Sequence, residues 1–160
     1  MTGRLDPRSG WRATGCTIAK ALELMSTKSS FLLLREAFYG TSRFDEFAER
    51  VGISEAVTAA RLRELVDDGL LEREDYREPG QRTRQGYVLT EKGAELLPAI
   101  VGLMQWGNRW EDEDGGPVEL RHRGRCQQPV TAQLRCAAGH QVDLAHLDLA
   151  ERGRPARGPA

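Results

Sequence analysis

Six side chains could do chemistry of their own: Cys16, Cys126, Cys136, His122, His140 and His146. His122-x3-Cys126 and Cys136-x3-His140 mirror one another and offer two thiolates and two imidazoles, a donor set that suits tetrahedral zinc. Zinc bound there would help a short segment to fold. Paired Cys-x2-Cys knuckles are missing, so isolated cysteines and surface histidines remain the competing reading. Cys16 precedes a helix-forming run, where free backbone amides favour a reactive thiolate; a buried structural cysteine is the alternative. His146 stands alone. No nucleophile is paired with a base, and neither a Gly-rich phosphate cradle nor a carboxylate pair in a plausible cleft is evident. An enzyme is therefore the least supported class, and apart from that zinc no cofactor is expected.

Arginine offers a different chemistry. Leu70–Arg73 and Gly86–Leu89 have the composition of two strands, and the Pro79-Gly80 pair between them turns the chain. Arg77, Arg82 and Arg84 decorate that ribbon. A guanidinium on a hairpin tip suits phosphate oxygens or a narrow minor groove; a solvated Arg-rich loop is the bland alternative.

Such a ribbon needs a helix to position it, and one precedes it. Ser54 supplies an N-cap, and Thr58, Leu62 and Leu65, flanked by Val57 and Val66, recur at the spacing of one buried face. Gly69 ends the helix. The opposite face holds Glu55, Ala56, Ala59, Ala60, Arg63 and Asp67. Its methyl-sized middle allows close approach to a partner, including the thymine methyls of a major groove, although it also fits a plain alanine-rich surface helix. Upstream, Ser42 is expected to cap a helix over Arg43–Arg50 with Phe44, Phe47 and Ala48 inward, and Val51-Gly52 turns the chain into Ile53. Two helices joined this way, followed by a ribbon, have helix-turn-helix grammar with a wing.

The run from Cys16 to Leu97 resembles the HxlR-type regulators, winged-helix bacterial transcription factors related to the MarR type. The resemblance is carried by Met25-Ser26-Thr27-Lys28, Leu32-Leu33-Leu34-Arg35-Glu36, Arg43-Phe44-Asp45-Glu46-Phe47, Arg61-Leu62-Arg63-Glu64-Leu65, Asp68-Gly69-Leu70-Leu71-Glu72-Arg73 and Tyr87-Val88-Leu89-Thr90-Glu91-Lys92-Gly93. Ser29 and Thr58 stand where relatives usually carry tryptophan and leucine, which implies a thinner core joint. The resemblance also implies a dimer, and it places a role in sensing oxidants or electrophiles on Cys16.

The remaining elements are scaffold. Thr17–Met25 forms an amphipathic helix, Ser30–Tyr39 a second, and Thr90 caps a long helix from Glu91 to Trp110 that Pro98 should bend. That last helix is too apolar for one small core. Leu96, Leu97, Ile100, Leu103 and Met104, with Ile18 and Leu22, are therefore expected to form an interface with a second copy, an isologous arrangement that presents two helices to successive major grooves.

The expected fold is α+β and mainly helical: a winged helix-turn-helix with a two-stranded wing, a long C-terminal dimerisation helix and a small C-terminal appendage. The boundaries are a disordered arm at 1–15, the winged domain at 16–111, a linker at 112–117, an appendage at 118–149 and a disordered tail at 150–160. No apolar run reaches membrane-spanning length, no signal-peptide block opens the sequence, and the scattered cysteines fit a reducing compartment, so a cytoplasmic protein with no membrane partner is expected.

Net charge is -1, and residues 43–88 carry eight arginines against eleven carboxylates. Positive charge is placed rather than abundant. The favoured function is sequence-specific binding of double-stranded DNA by a homodimer on a pseudo-palindromic operator. Arg77, Arg82 and Arg84 would act at the wing, Arg61 and Arg63 near the recognition helix, and Lys28 and Arg43 on flanking phosphates. Ser54, Glu55, Ala56, Ala59 and Ala60 would form the close-fitting surface, with Asp67, Asp68, Glu72 and Glu74 turned away. The local acidity favours an alternative, a winged-helix protein-interaction module without DNA affinity. The residues name no effector.

Overall fold

The computed structural model describes residues 16–147 apart from positions 26, 78, 79, 81 and 125. The arm expected at 1–15 and the tail expected at 150–160 lie outside the described residues. The chain divides into two compact units, Gly15–Ala132 and Met1–Thr14 with Gln133–Ala160. The larger contains α1 (Thr17–Leu24), α2 (Lys28–Phe38), α3 (Phe44–Val51), α4 (Glu55–Asp67), β1 (Leu71–Tyr76), β2 (Arg84–Leu89), α5 (Glu91–Ala94) and α6 (Leu97–Trp110).

Its core lies where α2, α3 and α4 meet. Leu33, Leu34, Phe47, Leu62, Leu65, Leu70 and Leu71 are fully buried, and Ile100 of α6 closes the cluster. Burying each such side chain contributes about 1.5–3 kcal/mol, so this layer fixes the relative placement of the three helices. Thr58 is fully buried in the same layer, and its hydroxyl donates to the Ser54 carbonyl at 3.0 Å. The polar group that replaces an expected leucine is thereby satisfied within its own helix.

Local chemistry sets the element ends. Thr27 caps α2 by accepting from Ser30 N–H at 3.1 Å, and Ser54 caps α4 by accepting from Val57 N–H at 3.4 Å. Gly52, at φ 70°, takes the left-handed turn between α3 and α4 that a side chain would resist. Ser42 does not cap α3 as expected. Arg43 occupies the N-cap position without a side-chain bond, while the Ser42 carbonyl accepts the Tyr87 N–H at 2.8 Å. That bond stitches β2 to the start of α3. Gly86 permits it, since a Cβ there would stand 3.1 Å from the Ser42 oxygen. Phe47 and Tyr87 complete the joint edge to face, with ring centroids 6.1 Å apart.

The wing is an antiparallel pair in register from Leu71 opposite Leu89 to Tyr76 opposite Arg84, longer than the four-residue strands expected. The single bent helix expected over Glu91–Trp110 is two helices. The chain breaks at Glu95-Leu96, and Pro98 lies in the first turn of α6. At that position the missing N–H leaves no bond unmade, so proline starts a helix rather than bending one.

Residues 118–132 form a small hairpin in the larger unit, bridged between Arg121 and Pro129. Its base is tied to α6 by the Ala132 N–H, which donates to Gln105 Oε1 at 2.9 Å. The stretch expected as one appendage over 118–149 is thus divided between the units. In the smaller unit, a second hairpin is bridged between Arg135 and Gln141, and a 3-10 turn follows at Leu144–His146.

Candidate nucleic-acid interface

Helix α4 turns about 100° per residue, which separates its side chains into an inner and an outer set. Thr58, Leu62 and Leu65 face the core, while Glu55, Ala56, Val57, Arg63, Glu64 and Asp67 are exposed and Ala59 and Ala60 half-buried. Val57 was expected to flank the buried face. It is 40% exposed, because it lies more than a quarter turn from the centre of the inner face. It joins Ala56 and Ala60 in an outer surface of small apolar groups, and counting the rotation per residue would have found it.

The two α4 arginines part company. Arg63 is exposed, whereas Arg61, two positions away, lies on the shoulder of the helix and pairs with Glu64. The Arg61 Nε is buried without a hydrogen-bond partner. Arg63 is therefore the cation of the outer face. Asp67 is not turned away as expected: it lies about one turn beyond Arg63 on the same exposed side, with Glu64 nearby. Acid at the C-terminal end, and Glu55 at the N-terminal edge, leave the roughly two turns from Ala56 to Arg63 as the part of α4 compatible with a polyanion.

Arg43, at the N-cap position of α3, reaches the outer end of the paired wing strands. Its Nε and one terminal nitrogen donate to the Asp45 carboxylate at 3.3 and 3.2 Å, and its guanidinium lies 6.0 Å from the Tyr76 ring centroid. The bond from Arg43 holds the Asp45 carboxyl below its ordinary value. Any phosphate that recruits Arg43 must compete with that carboxylate. Lys28, at the start of α2, and Arg77, Arg82 and Arg84 on the wing are all exposed. Glu72, Glu74 and Asp75 of β1 are exposed as well, so the wing carries both signs of charge.

The residues expected at a subunit interface divide similarly. Ile18 and Leu22 are 69% and 57% exposed on α1, a helix with no buried residue. Leu103, Trp106 and Trp110 form an exposed apolar stripe on α6, and Leu97 is partly exposed. Ile100 was assigned to the interface, but its side chain is taken up by the protomer's own core; Leu96 packs against the same core, and Met104 is half-buried. Trp106 and Trp110 belong to the outer stripe and were missed, although they fall three and seven residues after Leu103.

Cys16 occupies the N-cap position of α1 and is half-buried. His122 and Cys126 come together on the first small hairpin, whereas Cys136 and His140 are joined through their backbones. His146 pairs with Asp143 at 2.7 Å. Among the described residues, no three His, Cys, Asp or Glu side chains gather as a metal site would require.

A two-helix reading unit with its wing, held on a helical scaffold, defines the winged helix-turn-helix class of transcriptional regulators. Within that class the chain belongs to the HxlR-like helix-turn-helix family, whose family model matches residues 24–115. It is 40% identical over 138 residues to Rv3095 of Mycobacterium tuberculosis (strain ATCC 25618 / H37Rv), an uncharacterised HTH-type transcriptional regulator, covering 85% of each chain. The fold is similar to the crystal structure of PA1607, described as a candidate transcription factor, with a TM-score of 0.74 and 32% identity over 86% of this chain and 95% of that one. It is also similar to the redox regulator HypR in its reduced form, with a TM-score of 0.54 and 29% identity over 60% of this chain and 94% of that one. Among the described residues, no helix is long and apolar enough to cross a membrane.

Proposed function

We propose that the chain binds duplex DNA as a homodimer, seating the N-terminal half of α4 from each copy in successive major grooves of a pseudo-palindromic operator. The observation that carries this reading is the outer face of α4, where Ala56, Val57 and Arg63 are exposed and Ala60 between them is half-buried. Small side chains let the helix approach base edges and thymine methyls closely, and Arg63 supplies a charged donor within the same surface. Arg82 and Arg84 on the wing would take backbone phosphates beside it. Lys28, and Arg43 once released from Asp45, would add flanking contacts. The exposed apolar stripe of α6 and the outer face of α1 supply the surface for self-association. The reaction of such a protein is binding alone, and its place of action would be the cytoplasm.

Selection of bound fragments from random duplex DNA tests the whole reading at once. The expected product is a pair of inverted half-sites centred about 10–10.5 base pairs apart, or a multiple of that spacing. Retention should weaken steeply between about 50 and 200 mM salt. Recovery of no enriched sequence, or retention that ignores salt, would rule the reading out.

A further inference from the structure

A cavity of about 590 Å³ opens in the larger unit, between α2, the last turn of α3, α6 and the start of the first hairpin at Pro117-Val118. Sites for small molecules have volumes of about 300–1,000 Å³. Phe31 and Leu32 of α2, Ile100, Leu103 and Met104 of α6, and Val118 supply apolar walls. All belong to one copy of the chain, and the DNA-facing surface uses none of them.

The charged groups in the wall are Arg35, Arg50 and Glu36. Glu36 is buried: its Oε1 accepts from Arg35 Nε at 3.2 Å and Nη2 at 2.6 Å, and its Oε2 accepts from the Thr41 hydroxyl at 3.3 Å. A carboxylate is tolerated out of water when it is paired in this way. The same bonds fix the Arg35 guanidinium, which also lies 5.8 Å from the Tyr39 ring centroid. A guanidinium has five N–H donors, so with these two bonds made, the Nη1 end of the fork still has donors to offer. Arg50, exposed in the last turn of α3, has no acidic partner among the described residues. Two guanidiniums against one carboxylate leave a single positive charge uncompensated at an apolar cavity.

From this we infer that the cavity binds an amphipathic monoanion, an aliphatic monocarboxylate of medium chain length. Charge complementarity sets the head group. One carboxylate balances the surplus charge and accepts from the planar guanidinium fork, whereas a phosphate monoester would bring a second negative charge with no partner. Volume sets the body. At roughly 30 Å³ for each water-sized group, the cavity holds on the order of ten to twenty non-hydrogen atoms, and a single-ring acid would leave about half of it empty. The wall sets the shape, because Leu32, Leu103 and the unbranched, polarizable Met104 adapt to an alkyl chain in many conformations.

The test is isothermal titration calorimetry of the full chain, without DNA, against octanoate, decanoate, dodecanoate and decanol below their micelle or solubility limits. One acid should bind per chain, with affinity rising about four-fold per added methylene until the alkyl chain outgrows the cavity. Decanol should bind about ten-fold more weakly than decanoate, the low end for a charge-assisted hydrogen bond because Arg50 is open to solvent. Arg50→Gln, a surface change, should remove that ten-fold advantage and leave decanol unaltered. Met104→Trp, which fills the cavity, should abolish binding of both with the circular-dichroism spectrum retained. Trp106→Ala, on the exposed stripe of α6 and outside the cavity wall, should alter neither. No binding of any acid, several acids per chain, equal affinity for decanol and decanoate, or an Arg50→Gln variant that binds decanoate as the parent does would each overturn the assignment. So would a loss in Trp106→Ala as large as that in Met104→Trp, which would mean adsorption of a surfactant on the outer stripe.

Discussion

Gly93→Ala sets helix propensity against packing, and the two predict opposite signs. Gly93 lies in α5, the short helix that joins the wing to α6. An alanine in a helix interior is favoured over glycine by about 0.8–1 kcal/mol, so propensity alone predicts a more stable protein. The structure predicts the reverse. A Cβ on Gly93 would stand 2.1 Å from the Leu70 carbonyl oxygen and 3.0 Å from its carbon, where even a 3.0 Å contact to oxygen would force a shift. The obstacle is backbone rather than a flexible side chain. Moving that carbonyl also strains the bonds it accepts from Thr90 N–H and from the Thr90 hydroxyl, both at 3.2 Å. Overpacking of this kind costs about 1–3 kcal/mol, and each weakened hydrogen bond about 0.5–1.5 kcal/mol, which together outweigh the propensity gain. The net expectation is a loss of about 1–3 kcal/mol. At roughly 2–4 °C per kcal/mol for a chain of this size, Tm should fall by several degrees in a circular-dichroism melt. Gly102→Ala in α6 is the matched contrast, because its Cβ would meet only the Ala132 Cβ at 3.9 Å, an ordinary contact. That variant should gain about 0.5–1 kcal/mol. A Tm for Gly93→Ala at or above the parent's would refute the close approach of α5 to Leu70.

Four further outcomes follow from the structure. Ala60→Glu places a carboxylate at the centre of the outer α4 face, so duplex binding should be lost in fluorescence anisotropy while Tm stays within about 1 °C, as for an ordinary surface change; retained affinity would exclude this docking. Asp45→Asn removes one exposed carboxylate from beside Arg43, so DNA affinity at low salt should rise in fluorescence anisotropy, and an unchanged affinity would place this part of the wing away from the phosphates. The same ion pair has a defined pH sign: Asp45 is lowered by Arg43 in the folded chain, so its contribution is present above the ordinary value of 3.8 and is lost as pH falls through the lower folded value, and the parent's excess stability over Asp45→Asn should vanish in acid. Leu103→Glu in the α6 stripe should turn a dimer into a monomer in analytical ultracentrifugation with the protomer still folded; an unchanged mass would move the self-association surface elsewhere.

The parts legible in the sequence were those governed by short-range chemistry. Ser54 and Thr90 are caps because a hydroxyl oxygen reaches a free amide within one turn. The glycine after α4 and the apolar spacing of Thr58, Leu62 and Leu65 announce a stop and a buried face without reference to anything distant. The departures came where the chain's start and end points were set by distant packing. Ser42 looked like a cap, but α3 begins at Phe44 with Arg43 in the N-cap position, and it is the Ser42 backbone carbonyl that is used, by Tyr87 forty-five positions later.

What the sequence by itself determined was therefore the order and polarity of the elements: helix, turn, helix and ribbon, with arginines at the ribbon's tip and alanines on one helix face. Tertiary structure decided which of those groups are free to act. Arg61 and Arg63 are the same residue type two positions apart, yet only Arg63 is exposed, while Arg61 is drawn onto the helix shoulder beside Glu64. Ile100 and Leu103 are neighbours on one apolar helix, yet the first is consumed by the core and the second left outside. Cys126 and Cys136 have mirrored spacing, yet only Cys126 meets its histidine side chain to side chain. Residue type fixes what a side chain can do, whereas availability depends on the partners the folded chain brings within a few ångströms, and sequence spacing does not encode that distance.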